Sequence, residues 1–324
     1  MAVKALLTFL IISYVFMGLA YAQEADTQTK LPKESIVQKT HEALSKGVFS
    51  LSRRLDSILG AESVEDEKST SSVKLSYSSI FLERDNPSYL FKIKSRLVLP
   101  KTEKRFQLVL HNLRDEVSED RVKTAEEETL GAEQDPKKTV KESDFSAALR
   151  YVHTEQKKFR IHTDGGVKFK IPLDPFVKLR ARENIELSAS ELEFKQGAEW
   201  FKSSGVAIGG SISYLKKLNH SLFFSQPNVA RWTEELKITE FQNGVSFTQL
   251  LPSERSLSYY FSASGLNKPA VAVHSYTLGI TFRTWMAWRW LIFEVTPFGF
   301  WARNKNFTFQ PGFVTRLEMT VGHF

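Results

Sequence analysis

Tyr89-Leu90-Phe91-Lys92-Ile93-Lys94-Ser95-Arg96-Leu97-Val98-Leu99 is the stretch that decides the fold. Successive side chains of an extended chain point to opposite faces. Phe91, Ile93, Leu97 and Leu99 therefore share one side, and Lys92, Lys94 and Arg96 share the other. One face suits oil and the other water. The pattern recurs in residues 159–171, where Phe159, Ile161, Val167, Phe169 and Ile171 oppose Arg160, His162, Asp164, Lys168 and Lys170. Pro172-Leu173-Asp174-Pro175 breaks the chain, and then Val177, Leu179 and Ala181 alternate with Lys178, Arg180 and Arg182. Tyr276, Leu278, Ile280 and Phe282 share a face, as do Leu317, Met319 and Val321. The period of two begins at Ser72 and runs, with interruptions, to the end.

Turn signals separate these segments: Asp85-Asn86-Pro87, Pro100-Lys101, Asn219, Asn243-Gly244, Pro252-Ser253, Asn267-Lys268-Pro269 and Asn304. Asn243-Gly244 also fits the inside of a strand. The spacing predicts about 14 strands, with 12 as the alternative, and an even number suits a bacterial barrel with both ends on the periplasmic side. Residues 114–142 form one long, heavily charged connection containing Glu126-Glu127-Glu128 and Lys137-Lys138. Counting hairpins from a periplasmic start places it outside the cell, where barrel loops are longer.

A soluble sandwich also alternates, since each of its sheets has one buried face. Aromatic residues near the proposed strand ends favour the membrane alternative. They include Tyr89, Phe159, Trp200, Trp232, Trp285 and Trp301, and rings at both interfaces form the girdles of an outer-membrane barrel. The most apolar stretch beyond the N-terminus, residues 285–295, is too short for a spanning helix and contains Arg289. The fold class expected is all-β: an antiparallel transmembrane β-barrel preceded by a short amphipathic α-helical segment. Phe324 is terminal, as in many such barrels, but Leu317, Met319 and Val321 are out of phase with it.

The N-terminus reads as a secretory signal. Lys4 precedes an apolar run from residue 5 to residue 20, and Ala20-Tyr21-Ala22 gives the small-x-small cleavage pattern. The expected organisation is 1–22 signal peptide, 23–71 polar segment with an amphipathic helix and linker, and 72–324 barrel. Within 34–60, Ile36, Val37, Leu44, Val48, Leu51 and Leu55 form an apolar face opposite Lys39, Lys46 and Arg53. The chain has no cysteine, so export brings no disulfide and no thiol chemistry. Its formal charge is +7, which suits an anionic membrane surface or anionic solutes. Export argues against nucleic acid as a partner.

The chain resembles an uncharacterised family of proteobacterial outer-membrane β-barrel proteins. The resemblance rests on Arg54-Leu55-Asp56-Ser57-Ile58-Leu59-Gly60, on Asp174-Pro175-Phe176-Val177-Lys178-Leu179-Arg180 and on Thr315-Arg316-Leu317-Glu318-Met319. It runs from about Gly47 onward. It implies the barrel and nothing about activity.

Enzyme chemistry finds little support in the pattern. His220-Ser221 and His274-Ser275 place their side chains on opposite faces of a strand, which is wrong for a nucleophile and its base. His162 and Asp164 share a face beside Gly165-Gly166, a spacing open to acid–base work on the rim but more often that of a hydrogen-bonded pair in a lumen. No spacing suggests a metal site or a cofactor. The collective signal is basic: Lys92, Lys94, Arg96, Arg150, Arg160, Lys168, Lys170, Lys178, Arg180 and Arg182 are expected to line the lumen, with inward acids beginning mainly at Glu191, Glu193 and Glu199. Two readings follow. The charges pair inside the barrel and rigidify it, or they form a pathway for small anionic solutes, since rows of Arg and Lys select anions in pores. The further alternative is a structural or interaction barrel acting through its N-terminal helix or charged loop. The expected location is the bacterial outer membrane, with lipid, lipopolysaccharide and the barrel-assembly machinery as partners.

Overall fold

The computed structural model describes residue 45 and residues 71–83, 85–98, 105–112, 145–156, 158–286 and 288–322. The signal, nearly all of the helical segment, the loop 114–142, Pro100-Lys101 and Phe324 lie outside the described residues.

Fourteen strands follow one another in an antiparallel meander: β1 (Ser72–Leu82), β2 (Ser88–Val98), β3 (Phe106–Asn112), β4 (Phe145–Glu155), β5 (Phe159–Lys168), β6 (Asp174–Glu186), β7 (Ser190–Phe201), β8 (Gly205–Lys217), β9 (Leu222–Thr233), β10 (Ile238–Leu251), β11 (Arg255–Leu266), β12 (Ala272–Trp285), β13 (Leu291–Ala302) and β14 (Phe309–Gly322). Each strand pairs with its neighbours in sequence, and β1 pairs with β14 from Ser72↔Gly322 to Leu82↔Gly312. The sheet is thus a closed barrel. Closure leaves no edge strand with unpaired backbone groups, which is the condition for strands to lie in a solvent that offers no hydrogen bonds.

Strand count fixes the ends. With fourteen strands, Ser72 and Gly322 lie at the same end, here called the terminal end. Connections 83–87, 169–173, 202–204, 234–237, 267–271 and 303–308 lie at the opposite, distal end. The turn signals act through their side chains. Asn219 Oδ1 accepts from the backbone N–H groups of Ser221 (2.9 Å) and Leu222 (2.8 Å), a local bond that offers the backbone an alternative to the ladder. Asn267 Oδ1 accepts from Thr239 N at 2.8 Å and ties the connection 267–271 to the start of β10. Asn243-Gly244 lies inside β10. Ser45 Oγ accepts from Gly322 N at 3.3 Å, so residue 45 touches the terminal end of β14.

The two faces differ as the alternation demands. Tyr77, Phe91, Leu149, Leu179, Ile208, Phe247, Phe261, Leu278 and Leu317 are exposed on the outward face. Phe81 stacks on Phe313 across the β1–β14 seam at 4.5 Å. Hydrophobic groups normally leave water when a chain folds, so a closed barrel with large apolar side chains all around its outside is built for a nonaqueous solvent.

Candidate functional site: the charged interior face

Four inward residues on four consecutive strands lie directly opposite one another: Arg150 on β4, Asp164 on β5, Lys178 on β6 and Glu199 on β7. Their charges alternate along the row. Opposed residues on neighbouring strands are close enough for such pairs to form. Arg150 donates through Nε to Asp164 Oδ1 (2.7 Å) and through Nη2 to Oδ2 (2.8 Å). This is the two-pronged geometry that makes arginine–carboxylate pairs strong. Asp164 is fully buried. Lys178, itself 2 % exposed, lies 3.5 Å from Glu199 Oε2. The rings of Phe176 and Phe201 flank it at 5.2 and 5.3 Å. Arg231 on β9 reaches the other oxygen of Glu199 at 2.5 Å.

His162 and Asp164 do not make a bonded acid–base pair. Both Asp164 oxygens are taken by Arg150, and His162 sits opposite Val152 and Arg180, its Nε2 buried without a hydrogen bond among the described residues.

Toward the terminal end the pairs open to solvent. Glu155 receives Arg160 at 2.8 Å and Arg96 at 3.9 Å. Glu193 receives Arg182, and Lys195 at 2.6 Å. Arg182 also donates to Asn184 Oδ1 (3.1 Å), and Asn184 Nδ2 donates to Glu191 Oε1 (2.6 Å). The side chains of Arg96, Arg160 and Arg182 are 40 %, 42 % and 45 % exposed. Lys92 and Lys94 lie on β2 with Arg96, Lys168 ends β5, and Arg180 faces Gly197 across β6–β7. Lys170 lies in the connection 169–173, where its amine meets Asp174 (3.0 Å) and Ser203 Oγ (2.7 Å). Pro172 and Pro175 end the alternation there, and Phe169 and Ile171 leave the strand with it.

A second charged group lies on the part of the wall that sequence reasoning left out. Glu294 on β13 receives Arg283 and Arg316, both at 3.0 Å. Glu318 on β14 receives Lys74 at 3.5 Å and Arg283 at 3.9 Å. The signal was available: these charged residues sit between outward apolar residues at strand spacing, as in Leu317-Glu318-Met319.

One stoichiometry repeats. Glu155, Glu193, Glu199, Glu294 and Glu318 each meet two cations. Among these named pairs, nine cations (Lys74, Arg96, Arg160, Lys178, Arg182, Lys195, Arg231, Arg283 and Arg316) share five carboxylates. The acids expected as a separate wall are therefore interleaved with the bases on adjoining strands, and the paired set keeps a positive excess.

The distal part of the interior is apolar on one side. Ile80, Phe298, Phe300, Ala302 and Val314 form a buried cluster, with Leu82 packed against it. The Phe298 ring lies where a side chain at Gly312 would begin, 2.4 Å from that point. The Tyr260 hydroxyl is likewise 2.4 Å from where a Cβ on Gly279 would sit. Glycine at these two positions lets aromatic rings lie flat along the wall.

No protein-family model matches the chain, and no curated protein matches it. Among solved structures, the chain is similar to the KdgM porin at 6% identity, with 76% of this chain and 98% of that one covered and a TM-score of 0.37. It is similar to OmpT, an outer membrane protein of Vibrio cholerae, at 9% identity, covering 80% and 100% with a TM-score of 0.43. It is also similar to the outer membrane channel DcaP of Acinetobacter baumannii at 5% identity, covering 80% and 99% with a TM-score of 0.43.

Proposed function

We propose that this barrel sits in the bacterial outer membrane and acts as a channel whose basic interior favours small anionic solutes. The observation that carries the reading is that nine cations share five carboxylates. A lumen with matched charges has no preference between ions, whereas one with surplus Arg and Lys draws anions in. Lys74, Arg96, Arg160 and Arg182 are the members of that set whose side chains are more than a third exposed to water. Lipid and lipopolysaccharide are the proposed partners of the outward belt, and the barrel-assembly machinery is the proposed route of insertion.

The test is single-channel recording in planar bilayers under a potassium chloride gradient. The wild type is expected to show an anion-selective reversal potential. Arg160→Gln with Arg182→Gln is expected to move that potential toward zero at similar conductance. An unchanged potential in the double variant would defeat the role given to these two residues. Conductance no greater than the detergent control would remove the channel reading and leave a structural barrel. The buried apolar cluster at the distal end favours that second reading.

A further inference from the structure

The outward face is apolar around most of the barrel, but one stretch departs from this. Gln196 on β7, Gln226 and Asn228 on β9, and Asn243 on β10 all point outward, at the same parity as Trp200, Phe224, Trp232 and Phe247. They sit near mid-strand. Asn228 is directly opposite Asn243, and Asn243 Nδ2 donates to Asn228 Oδ1. Asn228 Nδ2 reaches the carbonyls of Ile212 and Gln226, both at 3.5 Å. Among the described residues, the side-chain amides of Gln196 and Gln226 have no partner.

The surface around them is shallow. Ala181, Gln196, Gly210 and Ala230 follow one another across β6 to β9 in a single register row. Larger rings bracket the patch: Trp200 and Trp232 on the distal side, and Tyr214, Phe224 and Phe247 on the terminal side, with Phe224 packed on Tyr214 (6.1 Å) and Phe247 (5.2 Å). Another outward polar pair, His153 with Thr163 at 2.8 Å, involves a residue two from the end of β4.

An amide placed against hydrocarbon loses its hydrogen bonds to water and gains none from lipid. Small residues beside polar amides are what packed membrane segments use at their contacts. The patch carries no charge, so nothing in it selects an oppositely charged partner. Amides are donors and acceptors at once, so the patch is complementary to itself. All copies are inserted by one route and stand at one depth. Rotation about the membrane normal therefore brings the amides of one copy level with those of the next. We infer that the outward face of β7 to β10 is the interface through which this barrel associates with a second copy of itself. The inference rests on the membrane reading proposed above and is independent of conduction.

The chain has no cysteine, so a single introduced thiol reports cleanly. Asn243→Cys and, as a control on the far side of the belt, Tyr77→Cys near the middle of β1 are oxidised with copper phenanthroline in isolated outer membranes. An adduct of twice the chain mass is expected for Asn243→Cys and not for Tyr77→Cys. Folded, membrane-inserted Asn243→Cys that gives no adduct, or an adduct of any other mass, would overturn the inference. In the second measurement, Asn228→Leu with Asn243→Leu is expected to lose the oligomeric band on native electrophoresis while keeping the heat-modifiable migration of a folded barrel. An unchanged oligomer would also overturn it. Absence of the wild-type chain from the outer-membrane fraction would instead sink the membrane reading, a failure distinguishable from the others.

Discussion

Glu199 and Glu155 do the same job at different depths, which makes their removal a measurement of burial. Each carboxylate is shared by two cations. Glu199 is nearly buried and faces Lys178, which is 2 % exposed. Glu155 is 39 % exposed and faces Arg160 and Arg96, both more than a third exposed. Taking one partner from a buried pair typically costs about 3–5 kcal/mol, because the remaining charge stays desolvated. In Glu199→Gln, Lys178 keeps the faces of Phe176 and Phe201, which recover part of that cost. The expected loss is therefore near the lower bound, about 3 kcal/mol. In Glu155→Gln the charges are screened by water, and the expected loss is below about 1 kcal/mol. The separation of about 2 kcal/mol is more than tenfold in the unfolding equilibrium. Reversible urea unfolding of the barrel in detergent, followed through its six tryptophans, resolves a difference of that size. Equal losses in the two variants would refute the argument, since they would mean that water reaches Glu199 as freely as Glu155.

Three further outcomes follow from the packing. Phe300→Ala removes a fully buried ring from the distal cluster; it is expected to cost about 3–5 kcal/mol and, in the channel reading, to raise single-channel conductance, with unchanged conductance counting against that cluster as a constriction. Gly279→Ala sets a methyl against Tyr260 and is expected to cost about 1–3 kcal/mol as overpacking, part of it recovered by Tyr260→Leu in the same chain, as read from urea midpoints. Leu179→Arg places a cation in the outward belt near the middle of β6; it is expected to cost about 2–4 kcal/mol in bilayers, and no loss on folding into lipid vesicles would argue against that face meeting hydrocarbon.

The barrel was legible because its physics is local. Alternation in Phe91, Ile93 and Lys92, Lys94 needs no knowledge of neighbouring strands, and a turn residue such as Asn219 acts within its own connection. The arrangement of charge was less legible because it depends on register. Asp164 reads in sequence as a companion of His162 two residues away, yet its partner is Arg150, fourteen residues earlier and directly opposite across β4–β5. Arg231 on β9 completes a pair with Glu199 on β7, two strands away, and nothing in its own strand announces it. The distal cluster was hidden for another reason. Leu291–Ala302 carries apolar residues on both faces, so alternation does not mark Phe298 and Phe300 as inward.

The sharing of each carboxylate between two cations resolves a conflict that any charged lumen meets. Isolated cations inside a barrel are costly to desolvate, and a cation for every carboxylate would neutralise the field. One carboxylate between two cations gives each a close counter-charge and still leaves a surplus. The cost of that surplus falls where water reaches it. Lys178 and Arg150, deeper in the wall, are held by buried carboxylates and rings, while Arg96, Arg160 and Arg182 stand half in solvent toward the terminal end. The apolar cluster stands at the opposite end. In the channel reading the two ends then differ in kind: a solute coming from the terminal end meets hydrated guanidinium groups first, and one coming from the distal end meets Phe298, Phe300 and Ile80. Selection by charge and restriction by size are thereby assigned to different residues. A substitution at Arg182 is expected to change which ions pass, and one at Phe300 how many.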